Sequence, residues 1–294
     1  MTGETHKSAE RRWSAPPVER RRDLDTEEFL DEYVAKSRPV VVPGAVTSWS
    51  AIDKWTPEWF GANYGDLRIA GDDGPTLAEV VEAIDDKSLD SSYYARNLNL
   101  SSLDARLLAD VQPMPETVTI DNWLQSRLLP ALPTERFGGE LFIAPVEMRY
   151  PYLHWDGSHV HANFFMIHGT KEIAIFNPDQ TSYLYPVPGA TNVNHRSALD
   201  DVYDPDLERF PLFDQAVGTL VIIEPGDHLF VPGGWWHTVR SATPSISIVV
   251  KHANASNWHH IEKEFPQRFR KWSPARHLSA AYLRVVGAWL ARGS

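Results

Sequence analysis

Two textures of hydrophobic patterning divide the chain. Between residues 24 and 135 apolar positions recur at helical spacing behind polar caps. Phe29, Leu30, Tyr33 and Val34 form one such stripe, and Asp25 with Glu28 ahead of it resembles a capping box. Thr56-Pro57 supplies a cap and a first-turn proline for a second helix, and Thr76 with Glu79 opens a third. Two β segments interrupt these helices: the valine run between Pro39 and Pro43, and a strand expected over 91–97. Pro113, Pro115, Pro130 and Pro133 punctuate a stretch of helix and loop over 103–135. From Leu141 the period shortens. Short β-rich runs separated by Gly, Pro and Asn occupy 141–150, 162–168, 171–176, 182–186, 218–223, 228–232, 236–241 and 245–251. Regular short strands with such turn signals predict a sandwich or barrel.

After His252 the chain turns helical again. Ser273-Pro274 starts a last helix whose Leu278, Tyr282, Val285, Val286, Trp289 and Leu290 sit at helical spacing. That stripe either packs on the chain's own barrel or pairs with a second subunit, which leaves a homodimer through the C-terminal helices open. Residues 1–23 mix Lys7, Arg11, Arg12 and Arg20–Arg22 with Pro16-Pro17 and read as a flexible leader. The expected organisation is therefore leader 1–23, a helical and β elaboration 24–135, a catalytic barrel 136–252 and a helical segment 253–294.

Composition narrows the classes. Hydrophobic residues at 43% and charged residues at 23% predict a folded core. Eleven Trp, ten Tyr and twelve Phe suit a wide interior with a cavity. A formal net charge of −11 disfavours nucleic acid as a partner, since phosphate-binding surfaces are basic. Absent cysteine removes disulfides, thiolate nucleophiles and Cys-based zinc sites. No run approaches 18 apolar residues and the charged start has no apolar core of a signal, so a cytoplasmic location with no membrane span is expected.

The chemistry centres on Tyr152-Leu153-His154-Trp155-Asp156. His154 and Asp156 are two apart, so on a strand both project from one face. A third ligand is offered by His237, in the phrase that runs from Pro225-Gly226-Asp227 through Pro232-Gly233-Gly234-Trp235-Trp236-His237. Two His and one carboxylate on one face of an octahedron leave three positions open, the arrangement of non-haem iron(II) oxygenases. His159 and His161 form a competing pair, but the motif they would open wants a Glu where the chain has Phe164 and Phe165, so a loop near the pocket mouth is the expectation. His168 is read as a core or pocket residue, His228 as structural, and His252, His259 and His260 as surface. Phosphate-binding and serine-hydrolase motifs are missing.

At this point the chain resembles the JmjC-type, cupin-like 2-oxoglutarate oxygenases, with the hypoxia-inducible-factor asparaginyl hydroxylases as the nearest branch. The matching phrases are His154-Trp155-Asp156, Asn163-Phe164-Phe165, Gly169-Thr170-Lys171, Phe176–Gln180, Leu184–Pro186, Pro205–Pro211, Pro225–Asp227 and Trp235–His237, over roughly 141–252. The resemblance implies a mainly β protein with flanking helices around a double-stranded β-helix (jelly-roll), with iron(II), 2-oxoglutarate and O2 as cofactors. It carries the metal ligands onto His154, Asp156 and His237 and a co-substrate lysine onto Lys171. Lys171 shares a face with Ile173 and Ile175, and a lysine on an inward apolar face needs an anion. Tyr94 and Asn163 align with further co-substrate contacts. Pro151 stands where the family often has a donating Thr, with Tyr150 or Tyr152 as substitutes or a differently seated co-substrate, and Lys251 stands where a relative has Asn, either as an added cation for a co-substrate or substrate carboxylate or as a strand-end charge. The implied reaction is hydroxylation of a C–H bond, in a peptide or protein side chain or a free amino-acid-like molecule. Arg96, Arg149, Arg240 and Trp155 are the expected substrate contacts. The alternatives are a non-catalytic metal-binding cupin and an oxygenase without 2-oxoglutarate.

Overall fold

Alternation along the strands decides how this protein is layered. The computed structural model describes residues 12–69, 71–86, 94–129, 139–188, 194–269 and 273–292. Among them, twelve strands form two sheets: β1 (Glu19–Arg20), β2 (Val40–Val42), β3 (Ala95–Asn99), β4 (Glu140–Ala144), β5 (His154–Asp156), β6 (His161–His168), β7 (Lys171–Phe176), β8 (Asn194–Arg196), β9 (Thr219–Ile223), β10 (His228–Val231), β11 (Trp236–Ser241) and β12 (Ser245–His252). The larger sheet runs β1-β2-β10-β6-β12-β4-β3 and the smaller β8-β5-β11-β7-β9. Every pairing but β1–β2 is antiparallel. The inner faces meet through Phe142, Phe164, Leu229 and Val249 from the larger sheet and Ile173, Ile175, Val221 and Val239 from the smaller. The β-rich half of the sequence predicts a sandwich or barrel, and the core takes the jelly-roll form that the family resemblance implies.

Outer faces are covered by different parts of the chain. Leu141, Ile143, Phe165 and Ile248 point away from the inner core and bury Trp49, Trp55, Phe60 and Leu77 of the N-terminal helices. Those helices start where the sequence indicates. Thr56 accepts from the Trp59 amide, Thr76 and Glu79 complete a reciprocal capping box, and Asp25 accepts from the Glu28 amide. The first helix widens after Glu28 into a π turn over Phe29–Val34. On the smaller sheet, Ala174, Phe176 and Trp236 are covered by Leu199, Val202, Phe210 and Phe213.

Ser273 caps the final helix, Pro274–Leu290, which buries Leu283 and Val286 against Trp258 and Trp123. Gly287 makes that approach feasible, because a Cβ there would stand 2.2 Å from the Trp258 indole nitrogen. The predicted stripe therefore splits: Val286 is inside, while Leu278, Val285 and Trp289 are 61–70% exposed.

Three expectations are corrected. Residues 182–186 are not a strand: Asn177 caps a 3₁₀ turn, Pro178–Tyr183, with Pro178 at its start. The leader is not free from Arg12 onward. Arg12 is buried with its guanidinium over Phe213, Trp13 lies near Phe176, and Arg20 donates to Asp227 at 2.7 Å. Apolar groups among the charges supply that docking; residues 1–11 lie outside the described residues. His252 is fully buried rather than surface. Of the strand expected over 91–97, residues 91–93 lie outside the described residues and the observed strand begins at Ala95.

Candidate metal centre

β5 and β11 are antiparallel neighbours in which His237 lies directly opposite His154. Directly opposed side chains on one sheet face are close by construction, and the two imidazole centroids are 4.4 Å apart. Asp156, two residues on, shares the inward face, and its Oδ2 lies 3.9 Å from His237 Nε2. One ligating atom from each of the three falls within 4.8 Å of the others, and all three residues are buried.

The surroundings prepare each group to bind a cation. His154 Nδ1 faces the Tyr152 carbonyl at 3.3 Å and His237 Nδ1 faces the Trp235 carbonyl at 3.1 Å. A proton held there leaves each Nε2 lone pair for the metal. Burial, with the neighbouring His237 imidazole, pushes the His154 imidazole down to about 3, and burial lowers His237 too, so both are neutral at pH 7. Burial opposes ionisation of Asp156, but the Lys251 ammonium beside it and the imidazoles hold it down at about 2. Lys251 Nζ sits 2.7 Å from Asp156 Oδ1, while buried Oδ2 makes no hydrogen bond among the described residues. An orphaned carboxylate oxygen beside two neutral imidazoles is a fit for one divalent ion, with Asp156 bound through a single oxygen. Nitrogen and oxygen donors without thiolate suit iron(II).

The triad opens into a cavity of about 680 Å³, mouth included, lined by Tyr94, Phe142, Tyr150, Phe164, Lys171 and Ser247 among others. Lys171 is 3% exposed. It donates to Ser247 Oγ at 2.5 Å, lies 5.5 Å over the Phe142 ring, and pairs with no carboxylate among the described residues. Burial pushes its ammonium down to about 7. Tyr94 is buried at the same cavity, its hydroxyl without a hydrogen bond among the described residues and pushed up to about 12 by burial. Tyr150, stacked on His154 at 4.7 Å, lines the cavity beside Pro151; Tyr152 does not.

Other expected contacts are placed elsewhere. Asn163 is consumed by structure, donating to the Val250 carbonyl at 3.2 Å and pairing with His228 at 2.9 Å. The cause is parity: Ala162, Phe164 and Met166 face the cavity layer, which turns Asn163 to the other side of β6. Trp155 is displaced likewise, lying between His195 and Trp236 on the outer face of β5. Arg149 and Arg240 stand outside the cavity, ion-paired to Asp201 and Glu172, with both guanidinium groups over Tyr203. Arg96 is exposed, its guanidinium 5.5 Å over the Tyr94 ring. His228 is structural as expected, and His161 is buried, accepting from the Gly233 amide at 2.9 Å. Ser247 was legible but unread: Ser245-Ile246-Ser247-Ile248 alternates, and its polar face carries on to Lys251.

A sequence profile described as a cupin-like domain matches residues 73–262, well over half of the chain and all of the triad. The chain belongs to the cupin-like domain family. Among curated relatives of this cupin-like chain, lysine-specific demethylase 8 of Xenopus tropicalis is 26% identical over 236 residues, 76% of this chain and 49% of the relative. Arginine-specific demethylase JMJ22 of Arabidopsis thaliana is 25% identical over 247 residues, 82% and 47% respectively. Human HSPB1-associated protein 1 is 35% identical over 101 residues, 34% and 19%. The chain thus spans about half or less of the length of these relatives. They support a JmjC-type cupin without singling out the asparaginyl hydroxylases, so the branch expected from sequence is replaced by the broader assignment. Among the described residues, no helix is long and apolar enough to cross a membrane.

Proposed function

We propose that this protein is an iron(II)- and 2-oxoglutarate-dependent dioxygenase that oxidises a C–H bond of an amino-acid side chain, in a peptide or protein or in a free amino-acid-like molecule. The observation that carries this reading is Lys171, a buried lysine with no carboxylate partner among the described residues, in the same cavity as the triad. An uncompensated ammonium in an apolar wall is expensive unless a ligand brings the anion. The distal carboxylate of 2-oxoglutarate meets that need, with Ser247 and Tyr94 as hydroxyl donors.

Iron(II), bound with 2-oxoglutarate, supplies the dioxygen-dependent oxidation of the C–H bond, with succinate and carbon dioxide as co-products. The chain's residues orient and insulate. His154 and His237 present Nε2 because backbone carbonyls hold their Nδ1 protons. Lys251 occupies one oxygen of Asp156, so the other would be left to hold the metal, and its ammonium would add a cation for a carboxylate bound beside it. Tyr150 takes the place of the donor that Pro151 lacks. Phe142, Phe164 and Val249 give the cavity apolar walls, and exclusion of water there would strengthen each of these contacts.

Arg96, exposed beside the Tyr94 wall, is the candidate grip for an acidic group on the substrate. Leu278, Tyr282, Val285 and Trp289 recur at spacings of four, three and four on one exposed helix face, and we assign that face to a homodimer contact. Turnover tests the activity. The iron-loaded protein, given 2-oxoglutarate and a peptide library, should form succinate with a gain of one oxygen in a peptide or with formaldehyde, the latter marking an N-methyl substrate. Iron binding without succinate under every substrate would favour a non-catalytic cupin or a different co-substrate.

A further inference from the structure

Outside the catalytic cavity, on the far side of β5, which carries His154 and Asp156, four more donors converge. The turn Gly157–His159 that follows Asp156 meets the helix Trp258–Glu264 and strand β8. His159 Nδ1 lies 3.5 Å from Glu264 Oε1, and His195 Nε2 lies 3.5 Å from Glu264 Oε2. His260 stacks on His159 with centroids 3.7 Å apart. One ligating atom from each of His159, His260 and Glu264 falls within 4.8 Å of the others. Bonds of about 2.1 Å to a tetrahedral ion place donors about 3.4 Å apart, and the stacked His159 and His260 rings turn out of parallel to aim both in-plane lone pairs at the ion.

The donors are held rather than loosely exposed. His159 and Ser158 both adopt positive φ (53° and 59°), uncommon for residues other than glycine. The His159 carbonyl accepts from Asn257 Nδ2 at 2.9 Å, and a Cβ on Gly233 would stand 1.9 Å from that oxygen. The Ser158 amide donates to Glu264 Oε2 at 2.8 Å, which leaves Oε1 for a cation. His159 Nδ1 is buried and makes no hydrogen bond among the described residues. Protonation states suit binding as well: burial and His159 push His260 down to about 4, and Glu264, although half-buried, is held at about 2 by His159 and the Ser158 amide.

We propose that His159, His260 and Glu264 form a second metal site that takes a borderline divalent cation such as zinc, with His195 as a fourth donor. Two or three imidazoles and one carboxylate match that class of ion. The bound ion ties the turn after Asp156 to the helix behind it.

Zinc titration of the full chain by calorimetry, after chelator treatment and its removal, tests the site independently of catalysis. The His154→Ala/His237→Ala variant should still bind one equivalent. In His260→Ala/Glu264→Gln, one of the two equivalents bound by the wild type should be lost or weakened by more than about 100-fold, since even outer contacts to a metal ligand are worth about 10–100-fold. Circular dichroism confirms folding of each. A folded His154→Ala/His237→Ala protein that binds no zinc overturns the proposal. So does a His260→Ala/Glu264→Gln protein with wild-type stoichiometry and affinity, which decides alone if the first variant does not fold.

Discussion

Replacing Lys171 with methionine should make the ligand-free protein more stable while removing its affinity for 2-oxoglutarate. Burial lowers the Lys171 ammonium from 10.5 to about 7. At 1.36 kcal/mol per pH unit, that difference makes the lysine a liability of about 4 kcal/mol at pH 7. Its sign follows from proton counting. Between pH 7 and 10.5 the unfolded chain holds a proton that the folded chain has lost, so wild-type stability rises with pH across that window; below it the full penalty persists. Methionine has a similar length and no charge, but it forfeits the hydrogen bond to Ser247, about 1 kcal/mol, and repacking takes up to about 1 more. The net expectation is a gain of about 2–3 kcal/mol for Lys171→Met at pH 7. Urea denaturation of the metal-free proteins reads it, and the gap should narrow from pH 7 to pH 9. Manganese(II) with 2-oxoglutarate at 100 times its Kd should then stabilise the wild type by about 2.7 kcal/mol and leave the variant where manganese alone puts it. A variant less stable than wild type without ligand, or one stabilised equally by 2-oxoglutarate, would refute the assignment of Lys171 as an anion receptor.

Asn163→Ala should lose about 1–3 kcal/mol of stability, because buried His228 loses its partner, with metal and 2-oxoglutarate affinities unchanged by calorimetry. Arg96→Glu should raise the KM for an acidic substrate without altering iron affinity; unchanged kinetics would remove Arg96 from substrate recognition. Leu278→Asp/Val285→Asp should halve the light-scattering mass of a wild-type dimer, whereas a monomeric wild type would discard the helix interface. In the metal-free protein, Lys251→Met should raise the Asp156 carboxyl from about 2 to above its usual value, so that iron uptake falls off at a higher pH than in the wild type.

How far the sequence could be read follows from the period of each element. Two-residue alternation places His154 and Asp156 together and Lys171 with Ile173 and Ile175, and the structure puts all of them on the cavity side. The same rule, applied along β6, excludes Asn163 from the cavity because Phe164 faces it; alignment to a family phrase had outweighed parity there. Trp155 fails for the identical reason. Arg149 and Arg240 could not be excluded from sequence, since their partners Asp201 and Glu172 are brought by a loop and a strand face that only the fold specifies. Helix caps at Asp25, Thr56, Thr76 and Ser273 were legible because each is a local hydrogen bond. The pairing of His237 with His154 was not local: register across a separation of 83 positions (237 − 154) comes from the sheet. The cluster around Glu264 was invisible for the same reason, its histidines reading singly as surface or loop.

In the proposed function, the triad and Lys171 together hold iron(II) and 2-oxoglutarate. Anaerobic titration of the wild type and His154→Ala with both, followed by visible absorption, tests it most directly. A weak metal-to-ligand charge-transfer band in the wild type alone is the predicted result. Stoichiometric iron in the wild type with no such band on adding 2-oxoglutarate would contradict it.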